Sequence, residues 1–295
     1  MARCLAWSAA ALAMSMLPLQ ARAGDTLTKI AATKRIFVGH RQDEKPFSYV
    51  VDGKVVGYAT DICLRVIDHL RQELHLDTLQ AVFVPVSTAT RFIQLGNGSI
   101  DLECASTTNN AERRKLAEFS YPYFLATTRY VAQTKNHLTP IADRAGHSVA
   151  STSGTVDVDQ LNAVNLERHL NISVMLARSH TEAFKMVETG QASAFVMDDI
   201  LLVGLIASSA HPGDYEISSE AFNRPEPYGI IMPPGDVAFK DAVNRGILAL
   251  VKSHEIEALY RKWFTQPIAP YGQNLNLPMS PALRAWFASP REYLD

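Results

Sequence analysis

Two stretches of this sequence repeat one grammar of short apolar segment, hydroxyl-rich turn and helix, and that alternation leaves few folds open. In the first, residues 35–38 read as a buried strand that stops at Gly39-His40-Arg41, and 46–51 turn at Asp52-Gly53 into a small hairpin. A helix is expected over 60–74, capped by Thr60 or Asp61, then a strand over 81–86. The hydroxyl run Ser87-Thr88-Ala89-Thr90 opens a helix that closes at Gly96-Asn97-Gly98, before a strand over 100–104. The second stretch has strands over 148–150, 172–177 and 194–196, the turn Thr152-Ser153-Gly154-Thr155, a helix opened by Ser179-His180, and an apolar helix over 200–207. Strands alternating with helices predict an α/β chain whose sheets are mostly parallel and covered by helices on both faces.

At 295 residues the chain suits two such lobes. The expected division is 24–132 for the first lobe and 133–228 for the second. Residues 229–295 then return to the first, with helices over 237–252 and 255–264 and a Pro-interrupted tail. Two strands, near 130 and 229, join the lobes. Ahead of them, Arg3, an Ala-rich apolar run over 5–19, and Ala21-Arg22-Ala23 before Gly24 read as a secretory signal covering 1–23. Ser8, Ser15 and Pro18 argue against an uncleaved span. Loss of Arg3 and Arg22 takes the formal charge from −2 to −4, so a general nucleic-acid partner is not expected. Export without an anchor means the periplasm or the medium. Of the three cysteines, Cys4 leaves with the signal; an oxidising compartment permits a Cys63–Cys104 bridge, and sequence alone does not decide it.

Strand ends and helix starts carry the polar inventory: Arg41, Thr88, Arg91, Ser106, Thr108, Arg113, Thr152, Thr155, His180 and Asp198. In open α/β sheets ligands sit outside the carboxyl ends of the strands. Three guanidinium forks, one carboxylate, an imidazole and several hydroxyls suit a small zwitterion with one extra negative charge. Each residue also has a plainer reading. Arg41 serves equally as a solvated turn residue, Arg113 as a partner of Glu112 or Glu118, His180 as a helix cap, and Asp198 as an N-cap unless Asp199 takes that place. Arg91 in a first helical turn opposes the macrodipole, which points to a ligand or partner. No metal-ligand spacing of His or Cys, Gly-rich phosphate loop or G-x-S-x-G elbow occurs, so neither an enzyme nor a cofactor or metal is expected.

Gly39-His40-Arg41, the G-x-x-x-D-I start at 57–62, the run E-C-A-S-T-T-N-N-A-E-R at 103–113, T-S-G-T at 152–155, His180, Met197-Asp198-Asp199 and Lys262-Trp263-Phe264 together resemble the bacterial periplasmic amino-acid-binding proteins of ABC importers, the extracellular solute-binding proteins of family 3. The glutamate/aspartate-binding branch is the nearest likeness. The resemblance implies a two-lobed type II periplasmic binding fold and a monomer that delivers its ligand to a membrane permease. It also implies roles: Arg113 on the ligand's α-carboxylate with backbone near Thr108 and Thr155, Asp198 and Ser106 on the ammonium, and Arg41, Thr88, Arg91 and His180 on the side-chain carboxylate, with Thr152 contributing from the second lobe. Asp43, Glu44 and Lys45 depart from the pattern and leave open which dicarboxylate is preferred. The same scaffold could instead carry a dehydratase-like activity on a small carboxylic acid, or serve as a soluble ligand sensor.

Overall fold

The computed structural model describes residues 26–136, 140–270 and 272–294. The expected signal segment lies outside them. Helix α1 (Thr26–Thr33) leads into β1 (Arg35–His40), β2 (Asp43–Glu44), β3 (Ser48–Val51), β4 (Lys54–Val56), α2 (Tyr58–Glu73), β5 (Gln80–Pro85), α3 (Arg91–Gly96), β6 (Leu102–Glu103), α4 (Ala111–Arg114), β7 (Glu118–Phe119) and β8 (Phe124–Ala126). The chain continues through β9 (Thr128–Gln133), β10 (Ser148–Thr152), α5 (Val156–Glu167), β11 (Ser173–Ala177), α6 (His180–Glu188), β12 (Ala194–Asp198), α7 (Asp199–Ser208) and β13 (Tyr215–Ile217). It returns by β14 (Glu226–Tyr228) and β15 (Ile231–Met232) and ends in α8 (Val237–Lys252), α9 (Glu255–Phe264) and α10 (Pro281–Ala288).

Two five-stranded sheets result, in the orders β5-β1-β6-β15-β7 and β11-β10-β12-β9-β13. In each, the strands from the alternating stretch run parallel, β1 with β5 and β6, and β10 with β11 and β12. The remaining partners are antiparallel. Strand β9, read from the sequence as the end of the first lobe, belongs instead to the second sheet, where Val196 faces Tyr130 and Ile217 faces Val131. Its apolar alternation fits either sheet, and only pairing decides. The antiparallel pair β8–β14, with Phe124 opposite Tyr228, links the two sheets. Phe124 stacks on Tyr228 and Phe264 with centroids 5.7 and 5.1 Å apart, and Phe47 meets all three rings edge-on.

Helix α2 starts at Tyr58, ahead of the expected caps. Its N-cap is Gly57 at φ 139°, where an added Cβ would lie 2.1 Å from the Phe47 carbonyl oxygen. Only glycine accommodates both. Thr60 is therefore inside the helix, and Asp61 accepts bonds from Trp263 Nε1 at 2.7 Å and Lys262 Nζ at 2.6 Å rather than capping. The apolar face of α2, Ile62, Cys63, Val66, Ile67 and Leu70, is buried in one core with Phe239, Val243 and Ile247 of α8. Cys63 is bonded to Cys104 in a disulfide with Cα atoms 6.2 Å apart, tying α2 to the loop after β6.

Candidate functional site

The carboxyl ends of the parallel strands and the segments that follow them face each other across the cleft between the lobes. Arg41 follows β1, Thr88 and Arg91 follow β5, Ser106 to Thr108 follow β6, Thr152 and Thr155 follow β10, and Asp198 ends β12. A narrow space between the lobes is lined by nine of the ten expected residues, Arg41, Thr88, Arg91, Ser106, Thr108, Arg113, Thr155, His180 and Asp198, together with Asp157. The tenth, Thr152, stands behind the cavity with its Oγ1 2.8 Å from His180 Nδ1.

The first lobe grips the turn Ser153-Gly154 of the second. Thr88 Oγ1 donates to the Ser153 carbonyl at 2.7 Å. Nη2 of Arg91 and Nη2 of Arg113 each donate to the Gly154 carbonyl oxygen at 3.2 Å. Arg91 also donates to the Thr88 carbonyl, and Arg113 to that of Thr108 at 3.2 Å. Arg91 is 2% exposed, its Nε has no partner, and among the described residues it makes no ion pair. Burial, with Arg113 and Arg41 beside it, pushes its pKa well below the usual guanidinium value. Burial likewise lowers Arg113, against the pull of Asp157 and Asp198. The hydrogen bonds of both guanidinium groups among the described residues go to backbone carbonyl oxygens.

Arg41 is in a different condition. Its Nε bonds Glu103 Oε1 at 2.9 Å and its Nη1 lies 3.2 Å from Glu44 Oε1. Burial opposes its charge, but these two carboxylates outweigh burial and its pKa is raised. Glu44, 2% exposed, also accepts from Ser106 Oγ at 2.7 Å and lies 3.1 Å from His180 Nε2. Burial would protonate it, yet Arg41 foremost, then His180 and Ser106, hold its carboxyl well below the ordinary range. Both nitrogens of His180 are therefore occupied within the protein.

Asp198 is the N-cap residue of α7 by position, without a capping bond; Asp199 instead accepts from Ile200 N and Thr127 N. Asp198 is free to face the cavity, accepting from Tyr228 OH at 2.6 Å. Burial and then the neighbouring Asp157 push its pKa well up. Asp157 accepts from Thr128 Oγ1 at 3.0 Å, its Oδ2 has no partner, and burial pushes its carboxyl up to about 6.

Four residues of this network escaped the sequence reading as site members: Glu44, Glu103, Asp157 and Tyr228. Glu103 was the most legible, since a carboxylate between Leu102 and Cys104 in a strand covered on both faces requires a buried counter-ion. No cluster of groups suited to a metal occurs among the described residues.

Comparison with known proteins agrees with this geometry. Residues 36–266 match the family model of bacterial extracellular solute-binding proteins, family 3. A Pseudomonas aeruginosa protein named L-glutamate/L-aspartate-binding protein is 39% identical over 271 residues, covering 90% of this chain and 89% of its own. An Escherichia coli glutamate/aspartate import solute-binding protein is 36% identical, covering 92% and 89%. Both names describe solute-binding proteins rather than enzymes. Among solved structures, an ancestral arginine-binding protein bound to arginine superposes with a TM-score of 0.71 at 25% identity, covering 78% of this chain and 98% of that one. A substrate-binding protein of an ABC uptake transporter from Streptococcus pneumoniae, bound to histidine, shares the fold with a TM-score of 0.75 at 18% identity, covering 82% and 97%. The two-lobed type II periplasmic binding fold implied by the resemblance is the fold of this chain, and the chain belongs to the bacterial extracellular solute-binding proteins of family 3.

Proposed function

We propose that this protein binds an acidic amino acid, glutamate or aspartate, in the cavity between its lobes and delivers it, as a periplasmic monomer, to the membrane permease of an ABC importer. The observation that carries the reading is Arg91, a buried guanidinium beside Arg113 with no carboxylate partner among the described residues. A cation so placed is costly unless something negative arrives. A ligand bringing two carboxylates and one ammonium fits the inventory: Arg113 with backbone near Thr108 and Thr155 for the α-carboxylate, Arg91 and Thr88 for the side-chain carboxylate, and Asp198 for the ammonium. Arg41, His180 and Ser106 contribute through Glu44, which already occupies them. Thr152 orients His180.

The test is a thermal-shift screen against all amino acids and small dicarboxylates, followed by calorimetry. At about 100 times its dissociation constant, a ligand adds about 2.7 kcal/mol. Responses confined to aspartate and glutamate are expected, with glutamine far weaker because it leaves a buried guanidinium unpaired, a loss of roughly 2 to 5 kcal/mol. Equal binding of glutamine and glutamate overturns the assignment.

A further inference from the structure

We propose that Glu44 is a built-in occupant of the distal anion position of this site, so that the cavity left to a ligand takes a four-carbon amino dicarboxylate, aspartate, in preference to the five-carbon glutamate. The inference rests on the acidic-amino-acid reading above and refines it.

The first observation is saturation. The Glu44 carboxylate takes Ser106 Oγ at 2.7 Å, the guanidinium of Arg41 at 3.2 Å and His180 Nε2 at 3.1 Å, with groups from both lobes converging on one buried carboxylate. Such a set is what a ligand carboxylate would require, and it is spent. A second carboxylate brought to the same donors would meet like charge at van der Waals distance in a dry site.

The second is position. Arg41 and His180 face both the inner cavity and the wider cleft outside it, while Glu44 faces only the outside. Arg41 and His180 thus close the inner cavity on this side, and the Glu44 carboxylate behind them, bonded to both, fixes that barrier. Extra ligand length has to pass through it.

The third is the spacing of the cations that remain. Arg91 and Arg113 share one acceptor, the Gly154 oxygen, each at 3.2 Å, and both guanidinium groups lie against the ring of Phe92, at 4.7 and 5.8 Å from its centroid. Neighbouring guanidinium groups suit carboxylates on adjacent carbons, the arrangement in aspartate. Glutamate inserts a further methylene between them.

Calorimetry of aspartate and glutamate against the unaltered protein, Glu44→Ala and Glu44→Gln is the test. A site that excludes one methylene discriminates by about 10- to 200-fold. The unaltered protein is expected to bind aspartate at least about tenfold tighter than glutamate. Glu44→Ala removes the built-in carboxylate and Glu44→Gln removes its charge, and each brings the two affinities within about threefold of each other. A preference for glutamate in the unaltered protein, or an unchanged ratio in Glu44→Ala or in Glu44→Gln, overturns the proposal. The first of these readings stands even if the alanine variant fails to fold. Binding of neither amino acid by any of the proteins overturns the acidic-ligand reading itself.

Discussion

Gly154 and Thr88, on opposite lobes, approach so closely that a methyl group on Gly154 would lie 2.8 Å from the Thr88 carbonyl oxygen. Gly154 also has φ +80°, a conformation that side chains rarely adopt. Gly154→Ala therefore carries a general strain cost of about 1 kcal/mol, and a clash that exists only while the lobes are together. The expected outcome is a loss of ligand affinity of more than about tenfold, equivalent to 1.4 kcal/mol, with a melting temperature lowered by only about 2 to 4 °C. Calorimetry and X-ray scattering with and without ligand check it: the radius of gyration of the variant stays at its ligand-free value where that of the native protein falls. Equal affinity would mean that the Gly154–Thr88 contact is incidental to binding.

Arg91 is buried without a carboxylate partner among the described residues, and burial with Arg113 and Arg41 beside it disfavours its charge. Replacing it by methionine removes a buried cation that lacks a carboxylate, together with the guanidinium's contact over the Phe92 ring, and keeps an unbranched apolar stem. Arg91→Met should raise the unfolding free energy of the ligand-free protein by about 1 kcal/mol or more and abolish the response to acidic amino acids. Urea denaturation and thermal shift read the two effects separately. Lower stability with retained binding would place Arg91 in the scaffold.

The Asp157–Asp198 pair gives the empty protein a defined acid response. The Asp157 carboxyl sits at about 6 in the folded state, raised by burial from 3.8, and Asp198 is raised well above the same value. Arg113, His180 and Tyr228 face the pair from the surrounding elements, with Asp199 and Glu226 adding negative charge. A folded state that binds the proton more tightly than the unfolded one is stabilised by it fully below about pH 4 and loses that stabilisation as the pH rises through about 6. Asp157→Asn keeps an oxygen for Thr128 and removes the charge. It should flatten the decline of stability between about pH 4 and 6 and leave the empty protein more stable at pH 7. Chemical denaturation across that range decides, and an unchanged slope would show that Asp157 does not titrate there.

The disulfide closes a segment with a sequence separation of 41. By loop-closure entropy that linkage contributes about 4 kcal/mol. Changing both Cys63 and Cys104 to alanine should lower the unfolding free energy by about 2 to 5 kcal/mol while leaving ligand preference intact, because neither cysteine lines the cavity. Denaturant melts of the double variant measure the first effect and calorimetry the second.

Much of this architecture could be read from periodicity and punctuation. The helices at 237–252 and 255–264 have the bounds their apolar spacing indicates, and nine of the ten expected polar residues line one cavity, Thr152 standing outside it. What escaped was of two kinds. The sheet membership of β9 and the capping of α2 by Gly57 rather than Thr60 or Asp61 depend on long-range pairing and on the approach of Phe47, which local periodicity does not encode. The buried acids were harder. The run Asp43-Glu44-Lys45 stands out as a departure bearing on ligand choice, but nothing local marks Glu44 as its buried member, and Asp157 in the first turn of α5 reads as ordinary dipole chemistry. Whether such a group is solvated or sealed is set by the other lobe, which packs against it from far along the chain.

The threading of the first sheet sets an order of events during synthesis. β15 lies between β6 and β7, yet it is made only after the whole of the second sheet, whose strands all fall within residues 128–217. As the chain emerges, the segment translated first waits with an unfilled slot beside β6, while the segment translated second already holds every strand it needs. The later-made half is therefore the first that can finish folding, and the earlier half is completed by the chain's return.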